Sequence, residues 1–358
     1  MKKFKDILKS RITRVIFCTV YILAAAELFL RIFNPIPMLP RYVEPKYYGI
    51  RGNIGSRQYW HITPEVKVHM RTNSAGIRAD YEIPYKKPAG VKRIVVLGDS
   101  FGMGYEVNLE DTFTTRMSEN LNNAGIKCEV VNLSSSGFSN AEELIVLQNE
   151  GFKYEPDLVL LAWHASDLDE NIRTNLFKLE DGRLKRNAET YLPGARIQEF
   201  MFRYPVLRFI TDKSHLFNFL RDNTGMKIKS LLDMIRKVES EKNKTSNNVK
   251  DVEVKNMNLT VAILKEIAVQ CKMNNCSFLT FDIPVRRTKT EFVSKFPMDK
   301  YVGETYGFNY INPINLFNQH NKELLYREQG HGHFTPLACS LSGKIISDYI
   351  VNNKLLFY

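Results

Sequence analysis

Cysteine is scarce in this chain, with five residues among 358. This number excludes a fold held together by disulfides, which small exported domains need when their core is too small. Cys18 lies in an apolar segment, and Cys128 and Cys339 have apolar surroundings typical of buried thiols. Cys271 and Cys276 would suit a local disulfide or a metal pair, but no histidine or second cysteine pair accompanies them. We therefore predict no metal site and no cofactor.

Nucleic-acid-binding motifs, internal repeats and long low-complexity segments are also lacking. The net charge of +11, from 50 basic and 39 acidic residues, is concentrated at the amino terminus, where residues 1–14 carry +5. The basic residues of this head are Lys2, Lys3, Lys5, Lys9, Arg11 and Arg14. The remaining +6 over 344 residues is a mild excess. It suits an anionic glycan or lipid surface and predicts no nucleic-acid partner.

One long apolar run follows the basic head, from Val15 to Leu30, interrupted by Thr19 and Glu27. Because about 20 apolar residues cross a bilayer, this run predicts a short transmembrane helix. The preceding lysines and arginines predict a cytoplasmic amino terminus. Ala24-Ala25-Ala26 also fits a signal-peptide cleavage site, which is the alternative. Both interpretations place the rest of the chain outside the cytoplasm, and the first predicts a single-pass protein of the inner (plasma) membrane.

Composition divides the chain into three parts. Residues 1–33 form the basic head and anchor, residues 34–90 a proline-rich strap, and residues 91–358 the main domain. Within the strap, weak alternation near Glu65–Met70 and the turn signal Asn73–Gly76 predict a short hairpin. Within the main domain, residues 172–250 are aromatic-rich and then polar, and predict an inserted helical cap; a lid over an acyl site or a patch dipping into the bilayer are alternatives.

The main domain alternates short apolar runs with helix-compatible segments. Ile94–Leu97, Asp157–Ala162 and Ser277–Phe281 have the continuous apolar character of strands buried on both faces. The pattern predicts an α/β fold, a three-layer sandwich with a parallel central sheet. Ser100 follows the first run directly, after Gly98-Asp99. Open α/β sheets place their ligands at this carboxyl edge.

Four stretches together resemble the sequence blocks of the SGNH/GDSL hydrolase superfamily. They are GDSFGMG (98–104), NLSSSGFSN (132–140), LAWHASDLDEN (161–171) and GHFTP (332–336). ELFLRIF and NSAGIR are similar to segments of membrane-anchored bacterial members. The resemblance implies a flavodoxin-like sheet, a nucleophile at Ser100 and a catalytic histidine at His333. It also implies that the backbone N–H groups of Ser100 and Gly137, with the residue at position 166, bind the oxyanion.

Two positions depart from the family. The third block carries Ser166 where the family has asparagine. The family's acid lies two or three residues before the histidine, which corresponds here to His331 or Gly330, and neither is a carboxylate. Three hypotheses follow: Glu328 turns toward His333, Glu328 and His331 form the acid–base pair, or His333 works with weak or no carboxylate assistance while a neutral His331 orients it. A missing acid costs orders of magnitude in rate.

The sequence therefore predicts an extracytoplasmic serine ester hydrolase or O-acyltransferase that acts on acyl esters, foremost O-acetyl groups, of a cell-surface polysaccharide. Its partners would be the acylated glycan, the membrane through the amino-terminal helix, and polysaccharide-assembly proteins. Hydrolase and transferase share one acyl-enzyme, so the sequence does not separate them. The alternatives are a catalytically silent glycan-binding or assembly protein of the same fold, and a phospholipid esterase.

Overall fold

The structure is a computed structural model that describes residues 11–33, 43–46, 48–191, 200–201, 203–220, 249–295 and 309–356. Most of the basic head, three of the four prolines at the start of the strap, and most of the polar run 239–250 lie outside these ranges.

The strands, in chain order, are β1 (Val43–Pro45), β2 (Arg51–Asn53), β3 (Gln58–Ile62), β4 (Lys67–Arg71), β5 (Lys92–Gly98), β6 (Cys128–Asn132), β7 (Leu158–Trp163), β8 (Phe177–Glu180), β9 (Arg183–Arg186), β10 (Ser277–Asp282), β11 (Val285–Thr288), β12 (Glu291–Val293) and β13 (Asn309–Ile311). The α-helices are α1 (Arg11–Phe33), α2 (Phe113–Asn123), α3 (Asn140–Asn149), α4 (Asp167–Thr174), α5 (Pro205–Lys213), α6 (Val249–Met273), α7 (Ile314–Gln319) and α8 (Pro336–Asn352).

The central sheet has the order β13-β10-β7-β5-β6, and every neighbouring pair is parallel. If these strands are numbered 1 to 5 along the chain, the order is 2-1-3-4-5, which is the flavodoxin-like arrangement. The predicted α/β class with a parallel central sheet is confirmed. β6 lies on one side of β5, and β7, β10 and β13 lie on the other, so β5 is at the switch point of the strand order. The carboxyl end of β5 therefore borders the crevice where such sheets bind ligands.

Alternate side chains of the central strands enter two separate cores, which gives the three layers. Val95 and Leu161 pack on one face with α3 and α6. Ile94 and Leu160 pack on the opposite face with α2 and α8. Because both faces are covered, the strands are apolar at nearly every position, and this explains why the sequence showed continuous runs instead of alternation.

The strap contains two antiparallel hairpins, β1–β2 and β3–β4. The second matches the predicted hairpin, but its turn lies at residues 63–66 and not at Asn73–Gly76. The Asn73 segment is a separate turn, in which the Asn73 side-chain oxygen accepts hydrogen bonds from the amides of Ala75 and Ile77 at 3.1 and 3.0 Å. The turn signal was therefore correct and the strand assignment around it was shifted.

The predicted helical insertion begins instead with a β-hairpin. Strands β8 and β9 pair in antiparallel fashion around Asp181-Gly182, and both turn residues have positive φ (51° and 71°). An Asp-Gly pair with positive φ at both positions matches the twist of a two-residue hairpin. Helical structure follows later, in α5.

The chain divides into two compact units. One comprises residues 43–193 and 249–358, including the central sheet, and the other comprises residues 1–42 and 194–248. In the second unit, Thr13–Phe33 is 21 residues long and apolar enough to cross a membrane, a test that a signal sequence also passes. The Glu27 carboxylate of this helix accepts hydrogen bonds from the amides of His215 and Leu216 and from the Ser214 hydroxyl at 2.8–2.9 Å.

All five cysteines are free thiols, and Cys271, Cys276 and Cys339 are buried. Cys276 donates a hydrogen bond to the carbonyl oxygen of Cys271 at 3.4 Å, so this pair forms no disulfide in the structure.

Candidate active site

Ser100 lies on a tight turn immediately after β5. The Asp99 carboxylate accepts a hydrogen bond from the amide of Phe101 at 2.8 Å, and the Ser100 carbonyl accepts one from Tyr105 at 3.0 Å. Glycine is required at position 102, because a Cβ there would lie 2.4 Å from the Ser134 hydroxyl oxygen. The turn thus folds residues 100–105 back on themselves and leaves the Ser100 hydroxyl half-buried at the sheet edge.

His333 reaches Ser100 from the loop that precedes α8. Its Nε2 lies 2.7 Å from the Ser100 Oγ, and the residue is 7% exposed. Thr335 caps α8 by accepting a hydrogen bond from the Ala338 amide, and Pro336 occupies the first helical position. The two residues selected from sequence as nucleophile and base are therefore brought together at hydrogen-bonding distance.

A carboxylate that the sequence analysis did not select completes the arrangement. Glu106 Oε2 lies 3.2 Å from His333 Nδ1 and accepts a hydrogen bond from the His333 amide at 3.3 Å. Its Oε1 accepts a hydrogen bond from the His331 amide at 2.9 Å. Ser100, His333 and Glu106 thus form a serine–histidine–carboxylate array. The hypothesis that His333 works without a carboxylate does not describe this structure, because Glu106 lies beside His333 Nδ1.

The environment of Glu106 keeps it ionised although it is fully buried. Burial alone raises the pKa of a carboxyl group, but the hydrogen bonds from His333 and from the His331 amide outweigh it and lower the pKa of Glu106 to about 2. A negative charge beside Nδ1 is what stabilises an imidazolium when Nε2 takes a proton.

The Glu106 backbone has a φ of 67°, in the left-handed region that non-glycine residues seldom adopt. The buried Arg78 guanidinium donates hydrogen bonds to the carbonyl oxygens of Met103 at 3.0 Å and Val107 at 2.6 Å, and also to that of Gly104. These bonds fix the chain on both sides of Glu106. A left-handed conformation costs on the order of 1 kcal/mol, and the Arg78 contacts offset it.

Gly330 stands at a position where the resemblance places an acid. A Cβ on Gly330 would lie 2.1 Å from Glu106 Oε1, so the Glu106 carboxylate fills the space that a side chain at position 330 would need. Position 330 is three residues before His333, where the resemblance places the acid. In this chain the carboxylate beside His333 comes from the turn after β5 (residues 99–107, the nucleophile turn) and not from the loop before α8 (residues 327–335, the histidine loop). The sequence signals were a charged residue in the apolar context Tyr105-Glu106-Val107 and a glycine at the acid position.

The other candidate acid and base have different partners. The Glu328 carboxylate pairs with Arg286 at 2.9 Å and with Lys289 at 3.9 Å. The His331 imidazole is exposed, and its ring centroid is 6.1 Å from that of His333. His331 contributes its backbone amide to Glu106, so neither the Glu328 hypotheses nor an orienting His331 ring describes the contact at His333 Nδ1.

The predicted oxyanion groups lie on the turn after β5 and on the segments that follow β6 and β7. Gly137 has a φ of 72°, and its carbonyl oxygen accepts a hydrogen bond from Arg51. Within the described part of the chain, no acceptor is assigned to the amides of Ser100 or Gly137, so both remain available to a substrate oxygen. Ser166 Oγ lies 2.8 Å from His164 Nδ1, and the His164 ring stacks on Phe101 with centroids 4.9 Å apart. Burial lowers the pKa of His164.

Comparisons with known proteins give remote structural matches. No protein-family model matches the chain, and no curated protein sequence is significantly similar to it. A lipolytic protein of the G-D-S-L family from Desulfitobacterium hafniense matches with 10% identity and a TM-score of 0.40, covering 72% of this chain and 98% of the other. An acetyl xylan esterase matches with 11% identity and a TM-score of 0.37 over 73% and 98% of the two chains. A psychrotrophic esterase from Pseudoalteromonas matches with 13% identity and a TM-score of 0.37 over 74% and 98%.

The assignment of the fold rests on the chain itself. The sheet order is the flavodoxin-like order that the resemblance implies, and the first three blocks lie at the carboxyl ends of β5, β6 and β7. The fourth block brings His333 to Ser100. At the level of its fold, the chain is therefore an α/β protein with a flavodoxin-like parallel sheet, and its four sequence blocks converge at one edge of that sheet.

Proposed function

We propose that this protein is a membrane-anchored serine ester hydrolase or O-acyltransferase that acts outside the cytoplasm on acyl esters, foremost O-acetyl groups, of a cell-surface polysaccharide. The observation that carries the proposal is the continuous hydrogen-bonded array from Ser100 Oγ through His333 to the ionised Glu106, with distances of 2.7 and 3.2 Å. A serine hydroxyl becomes a competent nucleophile when a base of this kind is within hydrogen-bond reach.

The first half of the reaction transfers the acyl group to the protein. Ser100 Oγ attacks the ester carbonyl while His333 Nε2 takes the hydroxyl proton, and Glu106 stabilises the resulting imidazolium. The amides of Ser100 and Gly137 would bind the oxyanion, and each such donor is worth about 3 kcal/mol of barrier. The imidazolium then gives its proton to the departing sugar oxygen, which leaves an acyl-enzyme and a free alcohol.

The second half depends on the acceptor. His333 takes a proton from water or from a sugar hydroxyl, whose oxygen attacks the acyl-enzyme, and returns that proton to Ser100. Water gives a hydrolase and a sugar hydroxyl gives a transferase, with the same protein groups in both cases.

Location and substrate class are supported by the amino-terminal part of the chain. A 21-residue apolar helix follows a basic head, which is the arrangement of an anchor with a cytoplasmic amino terminus. An enzyme tethered in this way meets surface glycans and lipids outside the cytoplasm. The mild positive charge of the remaining chain favours the anionic glycan surfaces on which such an enzyme would act.

Labelling with a fluorophosphonate probe tests the proposal. The full chain in detergent should be labelled at one residue, and Ser100→Ala should abolish both the labelling and the hydrolysis of p-nitrophenyl acetate. Ser118→Ala, which changes a serine of α2, should leave both unchanged. If wild-type protein is not labelled but binds acetylated polysaccharide, the catalytically silent glycan-binding alternative replaces the enzyme. Preferential turnover of phospholipid over acetylated glycan would favour the phospholipid esterase.

A further inference from the structure

His61 is a buried histidine that the catalytic array does not use. It lies on β3, is 4% exposed, and its Nε2 is 3.7 Å from Glu106 Oε1. This distance is too long for a hydrogen bond, and within the described residues His61 Nε2 has no hydrogen-bond partner. A polar atom buried without a partner costs about 1–3 kcal/mol, so its presence here calls for a ligand.

His331 lies close to His61 and Glu106 and offers a third ligand atom. One ligand atom each of His61, Glu106 and His331 can be chosen so that all lie within 4.8 Å of one another. The imidazole rings of His61 and His331 have centroids 5.5 Å apart, and the Tyr105 ring packs on His61 at 4.3 Å. Two of the donors are buried and the His331 side is exposed, so the cluster is open to solvent on one side only.

The chemistry of this donor set fits a divalent transition metal. Zinc binds histidine nitrogen and carboxylate oxygen at about 2.1 Å, which places two tetrahedral ligands about 3.4 Å apart. The His61–Glu106 separation of 3.7 Å is close to that value, and the exposed His331 side chain can adjust. Two histidines and one glutamate leave a fourth position for water, and imidazole donors select zinc over magnesium or calcium.

We propose that His61, Glu106 and His331 form a zinc-class cation site that restrains the active site. The inference rests on the proposed function only for its effect on activity. Metal would bind Glu106 Oε1, whereas Oε2 stays with His333 Nδ1. The cation neutralises the charge that stabilises the His333 imidazolium, so occupancy slows attack by Ser100. The sequence could not reveal this site, because its ligands come from a strap strand, the nucleophile turn and the histidine loop.

Direct binding tests the site independently of catalysis. Zinc chloride titrated calorimetrically into the metal-stripped full chain should bind with a stoichiometry of one. Affinity should fall by at least ~10-fold in His331→Gln and in His61→Gln. His320→Gln, at a partly exposed histidine paired with Glu323, is the matched control and should bind as wild type does. His331 is exposed, so its variant should fold even if the His61 variant does not. Cobalt(II) bound at the site should show no thiolate charge-transfer absorption.

The restraining effect is measured as the ratio of fluorophosphonate labelling rates without and with zinc, taken within each variant. The ratio should be about 10 or more in wild type and near 1 in His331→Gln. The proposal is overturned if wild type binds no stoichiometric zinc, if His320→Gln weakens binding as much as His331→Gln does, or if bound zinc leaves the labelling rate unchanged. A protein that binds zinc with these ligands but is never labelled would refute the esterase and not the metal site.

Discussion

At the scale of single residues, the site is defined by an exchange of places between Glu106 and Gly330. The carboxylate stands on the nucleophile turn, and the position that the resemblance reserves for an acid has no side chain. The Glu106 charge therefore reaches His333 Nδ1 from the nucleophile turn and not from the histidine loop. Substitutions at these two positions should therefore be strongly coupled.

Glu106→Gln should lower kcat for p-nitrophenyl acetate by on the order of 10³-fold, because the amide carries no charge to stabilise the imidazolium. Glu328→Gln should remain within about 3-fold of wild type, since its carboxylate pairs with Arg286 at the surface. The reverse pattern would return the acid role to Glu328.

The exchange can also be reversed by design. Glu106→Gly suits the positive φ at this position and removes the carboxylate, leaving room for an aspartate at Gly330. The double variant Glu106→Gly/Gly330→Asp should be at least ~10-fold faster than Glu106→Gly alone. Gly330→Asp by itself should be inactive, because its Cβ would lie 2.1 Å from Glu106 Oε1.

At the scale of elements, sequence patterns located several central strands and the residues Ser100 and His333, but they did not locate Glu106. Apolar runs identified β5, β7 and β10 of the central sheet, and the Thr335-Pro336 start of α8 placed His333. Glu106 was missed because its role depends on a backbone turned by Arg78 contacts from the strap, which no local pattern encodes. The β8–β9 hairpin was missed because aromatic content outweighed the Asp181-Gly182 signal.

The first turns of α3 and α4 meet in a buried acidic contact. Asn140 Nδ2 donates hydrogen bonds to Glu143 Oε2 at 2.8 Å and to Asp167 Oδ2 at 3.1 Å. Burial raises the pKa of Glu143 to about 8 and also raises the pKa of Asp167. Glu143 is therefore protonated in the folded protein at neutral pH, whereas in the unfolded chain it ionises near pH 4.3, at about its ordinary pKa.

The sign of the pH dependence follows from these values. A raised carboxyl pKa contributes its full stability below about pH 4, and this contribution is lost as pH rises toward about 8. Glu143→Gln removes one of the two titrating carboxyls, leaves Asp167, and keeps an acceptor for Asn140. The thermal midpoint of the full chain in detergent should fall less between about pH 5 and pH 8 in this variant than in wild type. Parallel curves would show that the Glu143 carboxyl does not titrate with folding.

At the scale of the whole molecule, the amino-terminal helix is long and apolar enough to cross a membrane. Most of its large apolar side chains are exposed in the structure, with Phe17 65% and Val20 60% accessible, as lipid-facing side chains are. Its carboxyl-terminal half carries Glu27, which pairs with Arg31 at 2.8 Å and accepts hydrogen bonds from residues 214–216 after α5. An acidic residue can therefore lie in this helix without an unpaired charge.

We expect Lys3–Arg14 to be cytoplasmic and residues from Gly98 onward to be outside. Protease added to intact spheroplasts should digest the body of the protein and leave a short membrane-embedded amino-terminal fragment. Protection of the body, together with activity of a cytoplasmic reporter fused to the carboxyl terminus, would reverse the orientation. Loss of the amino-terminal fragment from mature protein would identify the cleaved signal.

Because the proposed nucleophile Ser100 and the proposed acid Glu106 lie on one turn, the proposed activity depends on a single docking event, that of the loop that carries His333. The histidine loop brings no carboxylate of its own to His333, and the amides of His331 and His333 are bound by the same Glu106 that faces the imidazole. When the loop is docked, His333 contacts both Ser100 and Glu106, and Glu106 also holds the loop amides. When the loop is displaced, all of these contacts are lost together. Partial loop displacement would therefore produce a mixture of fully active and inactive molecules, and not a population with graded turnover.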